Sequence, residues 1–163
     1  MRTDTKRFVY LALLSAMAII LSMIESTYIG SFAYGIRVGL ANIMALITVR
    51  LLGIRAMWVV NMMRVFVGMM LRGLIFGSTF WISMGGVFLS SVSLILTTRA
   101  HSSVVFSSVI SAVCHSVGQV IVVALFYHQP AIAAILPYLL LGSVPMGILT
   151  GIVAERALKR IRL

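Results

Sequence analysis

Six apolar runs follow one another along this chain with little between them, and that succession constrains the fold more than any other feature. They cover residues 8–24, 37–52, 56–76, 78–98, 102–127 and 130–154. A helix crosses a hydrocarbon layer with about 20 apolar residues. Within lipid the backbone must satisfy its own hydrogen bonds, which a helix does. The second run is short: its apolar part is bracketed by Arg37 and Arg50, whose stems can carry their charges outward. The connections leave no room for a soluble domain. The expected architecture is therefore all-α, a single integral membrane domain over residues 1–163 with six transmembrane helices. Composition agrees, since 61% of residues are hydrophobic and 10% are charged. A soluble domain of this size could not cover so much apolar surface.

The net charge of +10 would suggest nucleic acid in a soluble protein. Here the basic residues sit between apolar runs, so lipid phosphate and topology account for them and no nucleic-acid partner is expected. With the N-terminus in the cytoplasm, Arg2, Lys6, Arg7, Arg50, Arg55, Arg99, Arg156, Lys159, Arg160 and Arg162 all fall inside. Arg37 and Arg72 fall near the outer face. This bias predicts an even number of spans with both termini inside. Arg2, Lys6 and Arg7 before an apolar run also resemble a signal peptide. No A-x-A-like site follows and more spans come after, so a retained helix is expected. The single cysteine, Cys114, excludes an internal disulfide and leaves too few thiols for a zinc or iron–sulfur site.

Against this background, "NMMRVFVGMMLRG" (residues 61–73) stands out, because it places Arg64 and Arg72 inside an apolar run. A mid-membrane arginine costs roughly 2.5–3.5 kcal/mol on insertion scales and usually faces the bundle interior. At about 100° per residue, Asn61, Arg64, Gly68 and Arg72 share one helix face. Arg72 has two readings, lining that interior or snorkelling to the outer headgroups. Arg64 makes an internal ion pair, bonds to free carbonyls, or meets a ligand. The fifth run repeats the pattern with Ser108, Ser111, His115 and Gln119. Serines in membrane helices often bond only to their own backbone, and His115 can be a packing histidine or a ligand contact. Asn42 adds an amide from the second run.

In the outer half the only acid is Glu25, set against Arg37, Arg64 and Arg72. One carboxylate cannot neutralise three cations, and an uncompensated buried guanidinium is expensive. The pattern points to an anionic ligand, a carboxylate or phosphate, which arginine holds well. Lipid headgroups or water are the alternative source of neutralisation. Tyr28, Phe32, Tyr34, Phe80, Trp81 and Tyr138 can cover an apolar ligand body or form an interfacial belt. The expected substrate-binding residues are thus Arg64, Asn61, Arg72, Asn42, His115, Gln119, Glu25 and Arg37.

Enzymatic chemistry has little to stand on. The sequence has no G-x-x-x-x-G-K-[ST] phosphate loop and no D-D-x-x-D run to hold magnesium and a diphosphate. His101, His115 and His128 are far apart. No catalytic residue, metal ligand or cofactor is expected. Small residues one turn apart, Ala12/Ala16, Gly73/Gly77 and Gly147/Gly151, are places where another helix can approach closely. Pro137, Gly142, Pro145 and Gly147 make the sixth run a candidate for kinking.

Six short helices with "ALLSA" (residues 12–16) in the first resemble the S components of energy-coupling factor transporters, the substrate-binding subunits of bacterial vitamin importers. More narrowly, "GIRVGLANIMAL", "MMRVFVGMMLRG" and "SMGGVFLSS" look like the Gx transporter family, also known as heptaprenyl diphosphate synthase component I. The resemblance covers nearly the whole chain. It implies an S-component-like bundle in a bacterial cytoplasmic membrane. It implies capture of substrate at the outer face and docking through Ala12 and Ala16 on a transmembrane T subunit. Two partner ATPases would supply the energy. It also suggests an isoprenoid or quinone precursor as ligand. The competing expectation is a non-catalytic membrane subunit of a redox or prenyl-lipid complex, binding a quinone or isoprenoid.

Overall fold

A computed structural model describes residues 2–29, 42–128 and 130–161. These residues form helix α1 (Arg2–Ile24), a π-helical turn (Glu25–Ile29), α2 (Asn42–Leu51), α3 (Ile54–Leu71) and α4 (Ser78–Arg99). Then come α5 (Val104–Tyr127), a 3-10 stretch (Pro130–Ile135) and α6 (Leu136–Arg160). Among the described residues the fold is all-helical. Five of its helices are long and apolar enough to cross a membrane, which makes the chain a multi-pass membrane protein by length and composition. Helix α2, with 10 residues, is not among them. At 1.5 Å per residue it covers only about 15 Å, so the expected sixth span is not reached by the described part of that segment.

Local sequence explains several boundaries. Gly53, at φ 91°, allows the abrupt turn from α2 into α3. The Ser103 side chain caps α5 by accepting a hydrogen bond from the Phe106 N–H at 3.2 Å. Pro137 sits in the first turn of α6, where its missing N–H costs nothing. The third run was expected to stay helical to residue 76. Instead α3 stops at Leu71, with Gly73 at φ 66° and Phe76 at φ 61° in the connection. Gly73 and Gly77 therefore belong to a loop and do not form a helix-packing pair. The first run extends in both directions, from Arg2 through the π-helical turn.

Helix α5 packs most extensively of all, against α4 on one side and α6 on the other. Both contacts depend on glycine. A Cβ on Gly118 would stand 2.5 Å from the Gly85 carbonyl oxygen, so α4 and α5 touch backbone to backbone. On α6, a Cβ at Gly147 would lie 2.8 Å from Val109 Cα, and one at Gly151 would lie 2.8 Å from Val105 Cα. The expected role of the Gly147/Gly151 pair is thus fulfilled inside the protein. Helix α1 leans on α3 and α2, and residues Asn42 to Val49 of α2 are all buried.

Polarity is inverted relative to a soluble domain. Ser91, Ser107, Ser111 and Thr48 are fully buried, whereas Phe8, Tyr138 and Leu141 are more than 70% exposed. Most buried hydroxyls return to their own helix, as Ser91 does to the Val87 carbonyl at 2.7 Å and Thr48 to the Met44 carbonyl at 2.6 Å. Ser108 departs from that expectation and reaches across to Thr150 on α6 at 2.9 Å. Ser111 Oγ makes no hydrogen bond among the described residues.

The up-and-down helix order collects Arg7, Arg50, Arg55, Arg99, Arg156, Lys159 and Arg160 at one end of the bundle. Two of these arginines stitch that end together. Arg7 donates to the Leu52 carbonyl at 2.8 Å, and Arg50 to the Ser102 carbonyl at 2.7 Å. Tyr10, Leu51, Ile54, Val104 and Leu158 pack around the same apolar core.

Candidate functional site

In the half of the bundle away from the basic end, α1, α2, α3, α4 and α5 surround a narrow recess of about 20 Å³, room for about one water molecule. Five of the eight residues expected to bind substrate line it: Glu25, Asn42, Arg64, Arg72 and His115. Each arrives for a local reason. Arg64 and Gly68 project from α3 one turn apart. Asn42 stands at the first described turn of α2. Glu25 opens the π-helical turn after α1, where the wider winding changes the direction of the side chain. His115 comes from the middle of α5.

Glu25, Asn42, Arg64 and His115 are all more than 90% buried. The Arg64 guanidinium donates from Nη1 to Asn42 Oδ1 at 3.2 Å. That bond leaves the Asn42 Nδ2 amino group without a partner among the described residues. A buried donor without an acceptor costs about 1–3 kcal/mol, so the recess holds unspent hydrogen-bonding capacity beside its cation. Arg72 is half-buried. It caps α3 with φ −95° and ψ −2°, rather than continuing the helix. By the helical rise it stands about 12 Å nearer the mouth than Arg64. Among the described lining residues, two guanidinium groups face one carboxylate. The balance favours an anion, and the low-dielectric walls strengthen that preference.

Three expected residues are elsewhere. Asn61 lies on the predicted face of α3 but one turn deeper, where its Nδ2 donates to Ser91 Oγ at 2.8 Å. It is a helix-to-helix tie, with Oδ1 unpartnered among the described residues. Gln119 is buried beneath α4 and does not line the recess. A Cβ on Gly86 would stand 2.8 Å from Gln119 Cγ and 2.9 Å from His115 Cε1, so both side chains fill the space that this glycine leaves. Arg37 lies outside the described residues, as do Phe32 and Tyr34. The other aromatic residues considered for the ligand body do not line the recess. Tyr28 and Tyr138 are exposed, and Phe80 is buried against the rings of Phe66, Phe76 and Trp81.

Sequence reasoning missed the remaining walls. Ser22 and Met23 come from α1, Val65 and Met69 from α3, and Ser83 and Val87 from α4. Ser83 had a signal in its position two residues before a Gly-Gly pair, but the facing of α4 was not readable from so even a mixture of serine and apolar residues. Ala12 and Ala16 are exposed on α1, well apart from the recess. They line a separate apolar groove with Phe8, Leu11, Ser15, Ile19, Val59 and Met63.

The fold and the recess define a class: a multi-pass helical membrane protein with a buried, basic, part-apolar pocket. Residues 14–157 match the family described as Heptaprenyl diphosphate synthase component I, and the chain belongs to that family. No curated protein and no solved structure matches it.

Proposed function

We propose that this protein is the substrate-binding S component of an energy-coupling-factor importer, capturing a small, anionic, partly apolar ligand. The observation that carries this reading is the recess itself, in which buried Arg64 is bonded to Asn42 beside Glu25, Arg72 and His115. In this reading the basic end faces the cytoplasm of a bacterial cell, with both termini inside and the α2 segment as the second of six spans. The recess then opens toward the outer face. The ligand's carboxylate or phosphate meets Arg64, and its apolar part rests on Val65, Met69 and Val87. The chain acts without catalysis of its own. The sequence carries no ATP-binding loop, so energy comes from two partner ATPases through a T subunit seated on the Ala12/Ala16 groove.

The family's name favours one other reading: a non-catalytic membrane subunit of a prenyl-lipid or redox complex, with an isoprenoid or quinone in the same recess. A mild-detergent pull-down from native membranes, with the partners identified by mass spectrometry, separates the two. A T-type membrane protein with two ATPases is the expected result. Recovery of prenyl-synthesis or redox proteins without ATPases would replace the importer reading with the second one.

A further inference from the structure

Gly68 differs from Gly85, Gly86, Gly118, Gly147 and Gly151, which pack against other helices. It is buried, yet a Cβ built on it would meet nothing within 4 Å among the described residues. Its missing side chain thus leaves a gap among the described residues. Gly68 lines the recess on the same face of α3 as Arg64 and Arg72. It sits one turn from Arg64, about 6 Å along the axis, and is followed by Arg72 after a further turn. The neighbouring lining residues Val65, Met69 and Val87 are apolar. Its backbone conformation is ordinary helix, with no positive φ to demand glycine. Local energetics also disfavour it, because glycine inside a helix costs roughly 0.5–1 kcal/mol relative to alanine.

We propose that Gly68 is the specificity-determining residue of the recess, a window of bare backbone against which the slender apolar part of an organic anion lies, one turn from the guanidinium that takes its carboxylate or phosphate. This rests on the anion-binding reading of the recess and adds a shape to it. The ligand is thin immediately next to its charged group, since a side chain at position 68 would enter that space. A bulky group attached directly to the anion is excluded.

The test uses the full chain purified in mild detergent, in a Cys114→Ala background that removes the only native thiol. Gly68→Cys is treated with two small probes, the anionic 2-sulfonatoethyl methanethiosulfonate and the cationic 2-(trimethylammonium)ethyl methanethiosulfonate. Their rates are scaled to those with a free thiol in solution. Tyr138→Cys, exposed on α6, serves as the open-surface control. The thiol introduced by Gly68→Cys is expected to label with at least a tenfold preference for the anionic probe, falling at least threefold when Arg64→Gln is added. Failure to label while Tyr138→Cys labels, or a preference no greater than that of the control, would overturn the proposal. Gly68→Ala supplies a second arm. It is expected to melt at the same temperature as the parent or higher, because its methyl group meets open space and favours the helix. A clear drop would show that position 68 is packed and would also overturn the proposal. The importer reading fails separately: its partners are identified by the pull-down, whatever the labelling shows.

Discussion

A methyl group added at Gly118 would press on the Gly85 carbonyl oxygen at 2.5 Å, whereas one added at Gly68 would touch nothing within 4 Å among the described residues. The first glycine belongs to the α4–α5–α6 half of the bundle, the second to the face that α3 turns toward α1 and α2. In the first half, glycine removes bulk so that helices can close on one another, and hydroxyl pairs such as Ser116–Ser143 at 2.6 Å and Ser108–Thr150 at 2.9 Å lock the contact. On α3, glycine removes bulk and no other described residue fills the gap. Dispersion forces tend to collapse an empty apolar space. A gap beside a buried cation is the place where the proposed ligand would lie, and the comparison sets the closely packed helices apart from the recess.

The strongest way to break this comparison is Gly118→Leu. Its side chain would have to enter α4 backbone, and the expected outcome is loss of the monodisperse folded protein, read by size-exclusion chromatography in detergent. If Gly118→Leu stayed folded, the rigid half would not be rigid. Next comes Arg64→Ala. Removing one member of a buried, hydrogen-bonded charged group costs about 2 kcal/mol or more in binding, roughly thirtyfold. In the importer reading, uptake should fall by at least that factor while membrane insertion is unchanged, as checked by transport in whole cells and by immunoblot of the membrane fraction. A third test, Ala12→Trp together with Ala16→Trp, sharpens the comparison by adding a surface that belongs to neither half. The pair is expected to reduce co-purification of a T subunit about tenfold and leave the anionic labelling of Gly68→Cys intact, by analogy with other close helix contacts through small residues. The smallest effect is expected from Lys159→Ala. Its 2.9 Å ion pair with Glu155 is largely exposed, so the melting midpoint should move by less than the equivalent of about 0.5 kcal/mol.

The sequence disclosed the lining of the recess more readily than the packing of the helices. Buried arginines are costly, so their spacing on α3 was informative: Arg64, Gly68 and Arg72 do line one recess, and the lone carboxylate Glu25 joins them. Asn61 shares that face but not that depth. Angular periodicity gives the direction of a side chain, while the floor of a pocket is set by what crosses beneath it, here Ser91 of α4. Gln119 departs from its expected place in a similar way, because Gly86 draws it under α4. The helix boundary at Leu71 was hidden because the residues after it remain apolar, and only the left-handed backbone at Gly73 and Phe76 ends the helix. The Gly85–Gly118 contact depends on the register between α4 and α5, which neither helix carries alone.

The position of Arg64 also has an electrical consequence. It stands ten residues into α3, about 15 Å from that helix's basic end, a distance that is half the thickness of a hydrocarbon layer of about 30 Å. With the basic end facing a negatively polarised cell interior, a single negative charge brought in from outside to Arg64 moves against about half of the membrane voltage. That work is roughly 1 kcal/mol for each 100 mV. In the proposed orientation, occupancy of the recess by an anion would be coupled to the energised state of the membrane: a strongly polarised cell would hold the anion less tightly than a resting one, before any partner acts.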